Sequence, residues 1–102
     1  MNKNDRRIHD ENTDFLLRCI LSLQDLDECY AFFEDLCTVP ELKSMARRIV
    51  VAKMLTEEKK YEDIVEKTGA STATISRVNR SLCYGNDGYT KIFQRISEED
   101  TK

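Results

Sequence analysis

The chain has 102 residues, 40% of them hydrophobic and 34% charged, with a net charge of -3 at pH 7. That length holds one domain of ordinary globular composition, and no apolar run approaches the eighteen or so residues that a membrane span needs. With 3 glycines and 1 proline, chain breakers are scarce, which argues against a turn-rich β chain and for long helices.

Residues 1–10 carry no apolar periodicity and are expected to form a mobile arm. The opening MNKNDRRIHDEN is polar and of mixed charge, unlike a signal or transit peptide, so a cytoplasmic protein is expected. A first helix is predicted from about Thr13 to Gln24, capped by Asn12 or Thr13, with Asp14 well placed for the helix dipole. Phe15, Leu16, Leu17, Cys19, Ile20, Leu21 and Leu23 cover almost its whole circumference. A helix that is apolar all round needs burial all round. A chain this short cannot easily surround it, so the helices of residues 13–38 are read as dimerisation elements. The second helix is predicted from Asp25 to Leu36, where Leu26, Cys29, Tyr30, Phe33 and Cys37 recur at three and four residues beside Phe32.

Pro40 suits the first turn of a third helix, predicted to run to Leu55. Its apolar stripe is read as Leu42, Met45, Ala46, Ile49, Val50 and Met54, with Lys43, Arg47, Arg48 and Lys53 mostly off it. The scale then shortens. Tyr61 to Thr68 is a short helix closed by Gly69, and Ser71 caps a second one from Thr72 to Leu82. Two short helices about a glycine turn form a helix-turn-helix candidate over residues 61–82. Cys83 to Gly88 is expected to be a loop, and Tyr89 to Ile96 a last amphipathic helix before a frayed SEEDTK tail.

Charge is unevenly spread. Residues 1–40 carry 4 basic and 9 acidic side chains, residues 41–95 carry 11 and 7, and residues 96–102 carry 1 and 3. A basic region inside an acidic chain directs attention to the helix-turn-helix. Ile64, Val65, Ala70, Ile75 and Val78 supply its core face. Ser71, Thr72, Ala73, Ser76, Arg77 and Arg80 are left on the outer side. From Thr72 to Leu82 there is no Asp or Glu, in a chain that has 19. Small side chains let such a helix sit deep in a major groove, where hydroxyls, methyls and guanidinium groups reach bases and phosphates. The same pattern also suits a plain αα-hairpin with a solvated face.

The four cysteines, Cys19, Cys29, Cys37 and Cys83, form no CxxC pair, and His9 is the single histidine. No zinc site or disulfide is expected, and the thiols are read as small apolar fillers. No cofactor is implied.

The segment from Pro40 to Leu82 resembles the bacterial Trp repressor family, in its YerC/YecD-type branch. The residues that carry the resemblance are ARRIVVAKML in the third helix and GASTATISRVNRSL in the recognition helix. The resemblance implies an all-α fold of six helices per chain in an intertwined homodimer. It also implies double-stranded DNA as partner and a near-palindromic operator read by two recognition helices in successive major grooves. In the family, the indole of the co-repressor tryptophan lies between two arginines, which correspond to Arg47 and Arg77, and a serine corresponding to Ser81 helps hold it. The residue after the recognition-helix arginine is glycine in the Trp repressor; here it is Val78, whose branched bulk stands where the indole would go. Tryptophan is therefore not expected to control this chain, though another amino-acid effector stays open. Arg47 and Arg77 have alternative roles as phosphate contacts or as surface partners of acidic residues.

An enzyme is not expected: no nucleophile–histidine set or phosphate-binding glycine loop is present. The rival to a transcriptional regulator, most simply a repressor, is a protein–protein adaptor using the acidic N-terminal half and aromatics such as Tyr61 and Tyr84.

Overall fold

The structure is a computed structural model that describes residues 9–100. Among the described residues it holds six α-helices and no strand. None of these helices is long and apolar enough to cross a membrane. The chain divides into two compact units, Met1–Val39 and Pro40–Lys102.

The first unit contains α1 (Glu11–Leu21) and α2 (Leu26–Leu36). Each starts on an aspartate. The Asp10 carboxylate accepts from the Thr13 backbone N–H at 2.7 Å and from its hydroxyl at 3.1 Å. The cap is thus Asp10, not Asn12 or Thr13. A side-chain acceptor satisfies a first-turn amide two or three residues ahead of it, so the cap lies further upstream than the first apolar residue, Phe15, suggests. Of the residues expected to form an arm, Asp10 is the cap of α1, and residues 1–8 lie outside the described residues. Asp25 repeats the device, accepting from Glu28 N at 2.8 Å, while the Glu28 carboxylate accepts from Gln24 N at 2.9 Å. Phe32 and Phe33 meet edge to face, with ring centres 5.4 Å apart. Neither helix buries a residue: Phe15 is 66% exposed and Leu21 84%.

The Thr13 backbone N–H, and then its hydroxyl, hold the Asp10 carboxyl below its ordinary range. A carboxylate so lowered contributes its capping fully at neutral pH and loses it as pH falls through the depressed value. Asp10→Ala is expected to lower amide protection across the first turn of α1. The wild type should show the same loss on acidification below the usual carboxylate range. Protection factors from hydrogen exchange check this, and equal protection in Asp10→Ala would remove the cap from the account.

The second unit contains α3 (Val39–Thr56), α4 (Tyr61–Thr68), α5 (Thr72–Tyr84) and α6 (Gly88–Asp100). Its core is Val51, Ala52 and Met54 from α3, Ile64 from α4, Ala70 from the turn, and Ile75 and Val78 from α5. Leu55, Val65, Leu82, Tyr89 and Phe93 pack around it, the last two stacked at 6.0 Å between ring centres. The predicted α3 stripe needs correcting. Val51 and Ala52 are fully buried, whereas Ile49 and Val50 are exposed. One stripe drawn through sixteen residues assumes one partner. Only the last turns of α3 grip this core, and they do so through a face rotated away from Ile49 and Val50.

After α3 the chain turns through Glu58, at φ 60. Glu58 N donates to Leu55 O at 3.0 Å and Lys59 N to Met54 O at 3.1 Å, the pair of bonds that closes a helix over a left-handed residue. Helix α5 runs two residues beyond the predicted end. It stops at Gly85, where a β-carbon would collide with the Ser81 carbonyl oxygen, so only glycine ends the helix there. Helix α6 continues through much of the stretch read as a frayed tail, because Glu98 and Glu99 are good helix formers even without an apolar face; residues 101 and 102 lie outside the described residues.

Candidate nucleic-acid interface

The geometry of α4 and α5 begins at the turn. Gly69 adopts φ 73 and donates to Val65 O at 2.8 Å, ending α4. Only glycine takes that backbone without strain. The Thr68 hydroxyl donates to Ile64 O at 2.7 Å and accepts from Ala70 N at 3.1 Å, so the turn leaves both groups satisfied. Ala70, 3% exposed, is the plug that brings the next helix onto the core.

Ser71 then caps α5. Its oxygen accepts from Thr74 N at 3.1 Å, and its hydroxyl donates to Thr74 Oγ1 at 3.1 Å. With Ile75 and Val78 turned into the core, Thr72, Ala73, Ser76, Arg77 and Arg80 are exposed. Ser71 is exposed too, but its hydroxyl is engaged in the cap. Helices α1 to α4 each carry acidic residues in the first turn, and α5 carries none. The partial positive charge of its N-terminus is therefore not offset from within the helix.

Beside this face lies a half-open cavity of about 480 Å³. From α3 it takes Ser44, Arg47 and Arg48. The turn contributes Gly69, Ala70 and Ser71, and α5 contributes Thr74, Arg77 and Val78. Arg47, Arg77 and Val78, named from the sequence, are thus brought together. Ser81 does not line the cavity; its hydroxyl points back along α5 to Arg77 O at 3.4 Å. Ser44, Arg48 and Thr74 were not expected there. Helical spacing was the available signal: Ser44, Arg47 and Arg48 share one face of α3, and Thr74, Arg77 and Val78 one face of α5.

Val78 is 3% exposed and belongs to the core as well as to the cavity wall. Among the described residues no ion pair ties up Arg47, Arg48, Arg77 or Arg80; the pair of Lys53 with Glu57, 3.7 Å apart, lies elsewhere on the surface. Also among the described residues, no group of three or more His, Cys, Asp or Glu is placed to hold a metal ion.

Comparison with known proteins places this architecture. The Bacillus subtilis protein named "Uncharacterized protein YerC" is 51% identical over 96 residues, spanning 94% of this chain and 92% of that protein. A solved structure of a TrpR-like protein from Eubacterium eligens is 60% identical and superposes with a TM-score of 0.84, covering 86% of this chain and 91% of that one. A second solved structure, from Staphylococcus aureus, is 49% identical with a TM-score of 0.84, covering 87% and 89%. Residues 11–97 match the Trp repressor protein family. On sequence and on fold alike, the chain belongs to the Trp repressor family.

Proposed function

We propose that this chain is a sequence-specific DNA-binding regulator of transcription, a repressor in its simplest form, acting as a homodimer on a near-palindromic operator. One observation carries the reading. The exposed face of α5 presents Thr72, Ala73, Ser76, Arg77 and Arg80 with no acidic residue, on a helix anchored from behind by Ile75 and Val78. Such a face enters a major groove, Ala73 touching a thymine methyl and the arginines gripping guanine or phosphate. Ser71 adds rigidity more than readout, because its hydroxyl is committed to Thr74. Family membership supports a regulatory role and not an enzymatic one. It also supports DNA as the partner and the cytoplasm of a bacterium as the setting.

The homodimer is supported by the apolar side chains that α1 and α2 leave uncovered within one chain. In the reading proposed here, L-tryptophan does not govern DNA binding, because the Val78 side chain occupies the wall where an indole would need room.

Arg77→Ala and Arg80→Ala are each expected to weaken duplex binding by about 1–3 kcal/mol where the lost contact is to a base, and to lower the salt slope by about one unit where it is to a phosphate. Both side chains are exposed, so circular dichroism and thermal unfolding should be unchanged. Fluorescence anisotropy against duplexes recovered from genomic DNA, over a series of salt concentrations, measures both effects. Equal affinity of both variants and wild type at low salt would move the interface off α5. No salt-dependent duplex binding at all would favour a protein partner.

A further inference from the structure

We propose that the Asp87–Gly88 peptide, at the entry to α6, is a site of self-modification: the Asp87 side chain closes on the Gly88 backbone nitrogen to a succinimide, which water reopens to isoaspartate. Its chemistry does not depend on the duplex-binding reading above.

Sequence selects the pair. The attacking group in such a closure is the backbone nitrogen of the following residue, and a side chain on that residue crowds the approach. Of nine aspartates only Asp87 is followed by glycine, the residue without a β-carbon. Both residues are exposed, and nothing lies within 4 Å of where a β-carbon on Gly88 would stand.

The fold leaves both reacting groups idle. Gly88 is the first residue of α6, and the first amides of a helix have no partner within it. Among the described residues no acceptor takes the Gly88 N–H, and no hydrogen bond or ion pair holds the Asp87 carboxylate. Asp10 and Asp25 stand at the same place before α1 and α2, yet their carboxylates accept from Thr13 N and Glu28 N at 2.7 and 2.8 Å. Asp87 opens its helix only through the backbone, its carbonyl oxygen accepting from Lys91 N at 3.1 Å. It also adopts φ 63, a left-handed backbone that costs a residue with a β-carbon more than it costs glycine. Neither a cap nor a relaxed backbone therefore opposes the rotation that ring closure requires.

The Gly88 nitrogen attacks Cγ of the protonated Asp87 carboxyl. A C–N bond forms, a C–O bond breaks, and the proton of the nitrogen leaves with the carboxyl hydroxyl as water. Water then adds to one of the two ring carbonyls. Addition at Cγ restores aspartate. Addition at the main-chain carbonyl breaks the original peptide bond and leaves isoaspartate, with the chain running through Cβ and Cγ. One water is released and one consumed, and nothing is oxidised or reduced. In the product the former main-chain carbonyl is a free carboxylate, no longer the backbone acceptor that opens α6, and the chain is one methylene longer. Tyr89 and Phe93 of α6 pack around the core of the second unit, so isomerised protein should unfold at a lower temperature.

The full chain is incubated for days at neutral pH and physiological temperature. It is then assayed with protein isoaspartate methyltransferase and labelled S-adenosylmethionine, and electron-transfer fragmentation locates the label. Label should accumulate at Asp87 while sparing Asp10 and Asp25, with no change in the mass of the aged chain, and Tm should fall in step with it. Gly88→Val crowds the nitrogen. Asp87→Gly removes the carboxyl and suits φ 63. Both variants should lose most of the label and keep their Tm on ageing, and circular dichroism checks that they fold.

No label in the folded chain, label spread evenly over the aspartates, or label retained in a folded variant overturns the site. Label at Asn86 with a gain in mass marks deamidation and overturns the assignment to Asp87. Labelling at Asp87 with an unchanged Tm overturns the loosening of α6.

Discussion

Val78→Gly is expected to cost this protein about 3 kcal/mol of stability, from the lost burial of a valine side chain plus the penalty of glycine inside a helix. Val78 is one of seven buried residues of the second unit's core, and it lies in the middle of α5. For a chain of about this size the loss corresponds to a fall in Tm of more than about 10 °C. Thermal unfolding followed by circular dichroism measures it, at fixed protein concentration because a homodimer of the kind proposed would couple association to stability. A cost below about 1 kcal/mol would show that the neighbours collapse into the space or that the side chain is not packed. The variant also tests the role of this position toward ligands. The wild type is expected to show no response to L-tryptophan in calorimetry, with or without DNA. Micromolar tryptophan binding that tightened DNA affinity would defeat the argument from Val78. Continued silence in Val78→Gly would show that more than this side chain keeps the indole out.

Charging the apolar face of α1 should abolish the proposed homodimer. Leu17 and Leu21 stand four residues apart on one face of that helix, and both are exposed within the chain. In a two-fold assembly each acts twice. Replacing both by aspartate removes four leucines from the interface, at about 1.5 kcal/mol each or ~6 kcal/mol together, some four powers of ten in Kd. Sedimentation equilibrium should find the wild type dimeric at micromolar concentration and Leu17→Asp/Leu21→Asp monomeric or unfolded. A stable folded wild-type monomer at that concentration would refute the dimer.

What could be read from the sequence divides along physical lines. Helix α4 was legible at both ends because its stop signal is a glycine that must take a left-handed backbone, and Gly69 does so. The start of α5 was legible because Ser71 has the chemistry of a cap. Its end was not, since the limit is set by contact between Gly85 and the Ser81 carbonyl, a steric fact absent from composition. The inward face of the helix-turn-helix followed from spacing, and Ile64, Ala70, Ile75 and Val78 are all buried. The inward face of α3 did not, because different parts of that helix present different sides. Of the cavity, Arg47, Arg77 and Val78 were named through resemblance to a known family. Arg48, Ser44 and Thr74 needed the two helices to be set side by side, and Ser81 dropped out once its hydroxyl had a partner on its own helix.

The missing acid in the first turn of α5 has an evolutionary consequence. A carboxylate at Ala73, facing solvent, should stabilise the helix by about 0.3–1 kcal/mol through the dipole. A population screened for heat resistance alone would therefore accumulate Ala73→Glu or Thr72→Asp, and would drift toward hardier proteins that repel their own ligand. Sequences held to a working role must keep discarding these easy gains. On the duplex-binding reading proposed above, the bare first turn of α5 is then a cost in robustness that leaves room for phosphate to approach.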